Sequence, residues 1–270
     1  MYCERKFVLD GVQQDCRNDG RTAFMSRDIR FRPKVSKLAA GSSSVSVGLG
    51  APALVIGVKV RATQADISVP KCADSGFCEV SVEFAKRTGS TRELSERLAK
   101  LLDALMLKHF DTTQLDICSG EKCWGLFIDI VVMLPDASNL LELMSYGIYK
   151  ALQSTLIPEV EGVLNKRTGE LFLDLKSSSF SLDLTSLPLI SSVYLIGDRL
   201  LIDASAEEEL FASGVIHTSV RDNHILGLIK ERPGGFSPAQ VLHSVKAAFA
   251  ASSVVESQLT TTRIQYTLNL

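Results

Sequence analysis

The chain has 270 residues, 46% hydrophobic and 22% charged, enough for one large or two small domains with a full core. A net charge of -2 and an isoelectric point near 6.1 exclude the basic excess of a protein that binds nucleic acid unaided. The opening MYCERKFVLDGV lacks the apolar core of a signal peptide, and the longest apolar run, residues 124–135, is too short to span a bilayer and is broken by Asp129, so a soluble intracellular protein is expected.

Residues 39–43 read as a small-residue loop, 44–49 as a strand and 53–62 as a strongly apolar strand. Residues 77–85 alternate, with Phe77, Glu79, Ser81 and Glu83 on one side and Cys78, Val80, Val82 and Phe84 on the other. A helix follows, with Ser90 and Glu93 as its predicted capping box and Leu94, Leu98, Leu101, Leu102 and Leu105 as its apolar stripe. Residues 124–134 form a predicted buried strand. Asn139 and Glu142 then predict a second capping box, opening a helix lined by Leu140, Leu141, Met144, Ile148, Ala151 and Leu152.

Short strands are predicted at 170–175, 180–184, 190–196 and 199–203, then a short helix capped by Ser205 and Glu208, then strands at 214–220 and 224–231. Pro233-Gly234-Gly235 breaks the chain. The last helix starts at Ser237 with Pro238 in its first turn, and Val241, Leu242, Val245, Ala248 and Phe249 are its predicted core stripe. Meandering strands followed by helices, twice over, predict an α+β fold. Two similar strand-rich halves, about 1–155 and 156–270, are expected to share one core as a single domain.

Six cysteines do not suggest a disulfide scaffold. Cys72/Cys78 and Cys118/Cys123 are spaced wider than C-x2-C, so free thiols are expected, with no metal and no cofactor. His109, His217, His224 and His243 lack metal-ligand spacing. His217 and His224, on predicted adjacent strands, have a surface or core role as their expected reading.

Four stretches, in order, carry a resemblance. The first is KFVLDGVQQDCRNDGR (6–21), in which a helix ending in Gly11, Val12, Gln14 and Asp15 runs into a loop with Arg17, Asp19, Gly20 and Arg21. The others are CWGLFIDIVVM (123–133), ALQSTLIPEV (151–160), which matches the end of a helix, and LIDASAEEE (201–209). Together they resemble RNase PH-fold subunits of the eukaryotic RNA exosome ring. The resemblance implies an RNase PH-like (ribosomal protein S5 domain 2-like) fold. It also implies other RNase PH-like ring subunits and S1/KH cap subunits as partners, single-stranded RNA passing through the assembled ring, and no membrane. Its implied role is 3′-to-5′ RNA processing and decay, including rRNA maturation, in nucleus, nucleolus and cytoplasm.

Catalytic relatives of this fold are phosphorolytic exoribonucleases. They need a small turn with an arginine at a helix start to seat phosphate, and a pair of acids close together. Here the turn is Asp136-Ala137-Ser138-Asn139-Leu140, with Leu140 at the arginine position and no Lys or Arg between Cys123 and Lys150. Glu142 is expected to bond back to the cap, which with Asp136 repels phosphate. The acid segment matches KSSSFSLDLTSLPL (176–189), which keeps only Asp183; Asp174 is expected on a separate strand. The chain is therefore expected to be catalytically silent. An active enzyme using Asp174 and Asp183, or an unrelated α+β interaction protein, stays open as an alternative.

The RNDGR loop reads as a structural clamp, with two arginines beside one aspartate fixing the turn. The densest positive cluster is Lys86, Arg87, Arg92, Arg97 and Lys100, on a turn and helix that the resemblance places along the RNA channel. A solvated basic face is the other reading. The family's E-L-x-R-x-x-x-R pattern is weakened, with Glu96 in its first basic position and Lys100 in its second, and Arg97 about 100° around the helix.

Overall fold

The computed structural model describes residues 2–64, 76–86, 88–118, 122–134, 137–164, 171–259 and 261–268. Cys72, Arg87 and Asp136, singled out above, lie outside the described residues. In chain order the elements are α1 (Tyr2–Gln13), β1 (Ile29–Pro33), β2 (Gly41–Val47), β3 (Pro52–Gln64), β4 (Phe77–Phe84), α2 (Gly89–Leu105), β5 (Asp116–Cys118), β6 (Lys122–Val132), α3 (Leu140–Gln153), β7 (Leu156–Leu164) and β8 (Leu171–Ser181). They continue with β9 (Leu189–Ile196), β10 (Arg199–Ile202), α4 (Ala206–Phe211), β11 (Gly214–Arg221), β12 (His224–Glu231), α5 (Pro238–Gln258) and β13 (Arg263–Ile264).

Period-two alternation turns one face of the first sheet into core. Among the described residues that sheet runs β13-β1-β2-β3-β6-β4, with β5 also paired to β6. Its register lines up Phe31, Val45, Leu54, Val132 and Phe84 across five strands, all of them buried. Helix α2 lays Leu98, Leu101, Leu102 and Leu105 on this face, as the leucine stripe predicts. Each such side chain contributes about 1.5–3 kcal/mol on burial.

Helix α3 is buried on nearly all sides because it lies between β2 and β3 of the first sheet and β9 of the second. The close approach needs Gly147: a Cβ there would lie 2.8 Å from Val45 Cγ2 and closer still to Ile56. The second sheet is antiparallel, in the order β10-β9-β11-β12, with α5 packed on β9 and β11. One hydrophobic cluster runs through both sheets and their helices. Val8 and Val12 of α1 join a smaller cluster with Tyr194, Leu201 and Ala212.

Several local expectations are corrected. Thr88 and Thr91, not Ser90 and Glu93, make the capping box of α2, because the Thr88 side chain reaches the Thr91 N–H. The stretch 151–160 is not all helix end. Helix α3 stops at Gln153, and β7 pairs antiparallel with β8 as a two-stranded ribbon. The two strands expected at 170–175 and 180–184 are mostly one strand, β8. Helix α5 does start at Ser237, but the residues it buries are Ser244, Ala247, Ala248, Ala251, Ser252 and Val255, while Leu242 is 64% exposed. Small side chains let the helix sit close on the sheet, and that selects them over the bulkier stripe.

Candidate functional site

The clamp expected of the RNDGR loop is present, but most of its bonds go to the β10–α4 segment. Arg17 is buried and forks onto Glu208, with Nε and Nη2 donating at 2.8 and 2.6 Å. Arg21 donates to Asp19 at 2.7 Å, as expected, and also to Asp203 Oδ2 at 3.2 Å. Arg27 completes the hub, donating to both Asp203 oxygens at 2.9 and 2.6 Å. Burial alone would raise the Asp203 carboxyl, but the bonds from Arg27 and the charges of Arg27 and Arg21 hold it below the usual range. The loop after α1 is thereby tied to the start of α4 across the fold.

Asp203 also ties this hub to the turn that starts α3. Asn139 adopts a left-handed conformation, with φ +55°, which Asn tolerates better than most residues. Its side-chain nitrogen donates to Asp203 Oδ1 at 3.2 Å and to Glu142 Oε2 at 3.1 Å, and its oxygen accepts from Tyr194 at 3.2 Å. The predicted box is therefore absent: the Asn139 side chain caps no N–H of the helix. Glu142 points into the core instead and accepts from Tyr146 at 2.7 Å, Tyr266 at 3.3 Å and the Ser192 N–H at 3.0 Å. Burial and the Asp203 charge push its carboxyl up to about 7 against those donors.

The carboxylate at the helix start comes from elsewhere. Glu209 Oε2, on α4, accepts the Asn139 N–H at 2.9 Å. An anion at this place is what free N–H groups and the helix dipole favour, and a side chain of the same protein supplies it. Sequence reasoning missed Glu209. Its neighbour Glu208 carries the local capping signal with Ser205, and nothing local indicates that the next acid reaches back to α3.

Beside the turn is a cavity of about 290 Å³ lined by Arg97, Ser138, Glu209, His217, Glu231 and Arg232. The two arginines come from distant segments, outside the cation-free stretch between Cys123 and Lys150. Both are engaged within the protein. Arg97 forks onto Glu231, and Arg232 donates to the carbonyls of Glu209 and Ala212, with its Nη2 3.8 Å from Glu209 Oε1. His217 contacts Ser192 Oγ at 2.9 Å and Glu231 at 3.3 Å. Partial burial would raise Glu231, but the bonds from His217 and Arg97 hold it at about 2. Two guanidiniums facing two carboxylates leave no net positive charge for an incoming oxyanion. Ser138 Oγ is buried and has no hydrogen-bond partner among the described residues.

The basic cluster is only partly one surface. Lys86, Arg92 and Lys100 are exposed, with Arg92 paired to Glu96 at 3.2 Å on its own helix. Arg97 turns away to Glu231, and Arg87 lies outside the described residues.

Residues 25–158 match domain 1 of the RNase PH 3′ exoribonuclease family, and residues 186–251 match its domain 2. The chain belongs to this family. It is 28% identical over 265 residues to the exosome complex component Rrp42 of Methanocella arvoryzae, covering 95% of each. In fold it is similar to a subunit in the archaeal exosome core (TM-score 0.76, 22% identity, 96% of this chain and 97% of that one). A chain of the Archaeoglobus fulgidus exosome with RNA bound to the active site is also similar (TM-score 0.74, 23% identity, 95% and 98%).

For an RNase PH family member, the remaining question is the acid pair. Asp174 and Asp183 do not converge. Contrary to expectation they are not on separate strands: Asp174 lies within β8, opposite Glu161, and Asp183 lies just past the end of the same strand. Opposite β7, the stretch from Asp174 to Ser181 spans the five residue steps from Glu161 to Leu156, about 17 Å of strand, so no close acid pair forms. Asp183 accepts the Thr185 N–H at 2.9 Å and is exposed. His217 and His224 do not face each other either. His217 is opposite Ile229, and His224 is opposite Arg221.

Proposed function

We propose that this RNase PH family chain is a non-catalytic ring subunit of an RNA exosome, of the Rrp42 type. It acts as scaffold and RNA-path component in 3′-to-5′ RNA processing and decay, rRNA maturation included. The observation that carries the silent reading is the Glu209 carboxylate on the Asn139 N–H, in the place where an attacking phosphate would need to sit. Near-complete coverage of an exosome component supports the ring assignment. Its partners are other RNase PH-like ring subunits and S1/KH cap subunits, with single-stranded RNA in the assembled pore. The exposed cations Lys86, Arg92 and Lys100 contact that RNA. Arg97, bound to Glu231, would have to leave that salt bridge to join them. The resemblance of the four stretches together to subunits of the eukaryotic ring supports a eukaryotic complex working in nucleus, nucleolus and cytoplasm.

Affinity isolation of the full chain followed by native mass spectrometry tests the proposal. Recovery in a stoichiometric complex with other RNase PH-like chains is expected. Recovery as a lone chain, with no such partner, would overturn the ring assignment.

A further inference from the structure

A second charged surface lies away from the α3 turn. Between Asp28 and Asp66 the sequence has no carboxylate and six cations, Arg30, Arg32, Lys34, Lys37, Lys59 and Arg61, in a chain of net charge -2. Strand β1 brings the first of these to a groove of about 590 Å³ lined by Arg30, Arg32, Ser46, Leu49, Thr262 and Arg263. Arg30 and Arg263 stand directly opposite each other on β1 and β13. Like charges in that position destabilise a strand pair. Among the described residues Asp28 alone bridges them, accepting from Arg30 at 2.9 Å and from Arg263. Arg32, on the same face two residues on, is exposed and has no ion-pair partner among the described residues. Three guanidiniums against one carboxylate leave two positive charges uncompensated.

Leu49, 87% exposed, lines the groove beside these charges. The sheet register separates this surface from the proposed RNA patch. Phe31 and Val45 face the core that α2 and α3 cover, so Arg30 and Arg32 project from the opposite face. From β1 to β4, which leads into α2, is four strand spacings, or about 19 Å. Phe31, beside the groove, is buried and gives no platform for base stacking. Guanidiniums beside an exposed leucine, with no exposed aromatic ring among the described groove residues, suit an acidic peptide better than a polynucleotide.

We propose that this groove docks an extended acidic segment of a partner protein, its carboxylates on Arg30, Arg32 and Arg263 and an aliphatic side chain on Leu49. The test uses the full chain and a fluorescein-labelled twelve-residue peptide of alternating Glu and Leu, read by anisotropy. The expected result is saturable binding that weakens about tenfold with Arg32→Glu and disappears when the peptide glutamates are replaced by Gln. Leu49→Ser, at an exposed turn, is expected to weaken it severalfold without altering thermal unfolding. No binding of the peptide, or binding indifferent to both substitutions, overturns the proposal. So does a twelve-nucleotide oligouridylate that binds in its place and is lost with Arg32→Glu, which would make the groove an RNA site.

Discussion

Replacing Glu209 with Ala removes the carboxylate from the start of α3. The bond lost is charge-assisted and 2.9 Å long, from a side chain 31% exposed. Such an interaction with a helix N-terminus contributes about 0.3–1 kcal/mol when exposed and up to ~2 kcal/mol when partly buried. The 3.8 Å contact to Arg232 adds little at this exposure. A loss of about 1–2 kcal/mol follows, or roughly 2–4 °C in Tm for a chain of this size. The vacated corner offers the Asn139 N–H, the Arg232 guanidinium and the Ser138 hydroxyl to a small anion. If inorganic phosphate takes it with a Kd of about 10 mM, 100 mM phosphate returns about 1.4 kcal/mol by linkage. The assay is thermal unfolding of both proteins with and without phosphate at constant ionic strength. Phosphate salts stabilise most proteins by exclusion, so the quantity read is the excess gain of the variant over the wild type. Equal gains in the two proteins, or a variant as stable as wild type without phosphate, would refute the reasoning.

Asp203→Asn leaves Arg21 and Arg27 buried against a neutral side chain. It should cost about 3–5 kcal/mol in denaturant unfolding. Glu142→Gln should flatten the pH dependence of stability. The folded carboxyl sits near 7 and the unfolded one near 4.3, so between those values the native state holds the extra proton and stability falls as pH rises. That loss is about 2–4 kcal/mol in wild type by pH 8 and should be absent in the variant; an unchanged slope from urea titrations would contradict the assignment. Lys86→Glu with Lys100→Glu, in the assembled complex, should lower the salt slope of single-stranded RNA binding by about 1.4 if each lysine meets one phosphate. An unchanged slope would return them to a solvated face.

Where the physics is local, the sequence carried the fold. The leucines of α2 repeat at helical spacing, the alternation of β4 has one interpretation, and Ser205 and Ser237 each lie three residues before the side chain that completes their caps. Where two segments decide jointly, it did not. The small-residue face of α5 is selected by how near the second sheet lies, which no stripe in the helix records. Asn139 and Glu142 have the spacing of a capping box, yet burial beside Asp203 and Tyr194 redirects both side chains. The same holds for the site. The missing arginine at Leu140 is legible in the sequence, whereas Glu209 filling the corner, and Arg97 and Arg232 arriving there already paired, depend on chain reversals tens of residues long.

The most direct measurement incubates the purified chain with end-labelled single-stranded RNA, inorganic phosphate and magnesium, and follows release of nucleoside diphosphates. The account predicts none above a no-protein control at any phosphate concentration. Phosphate-dependent release that is abolished by Asp183→Asn would contradict it.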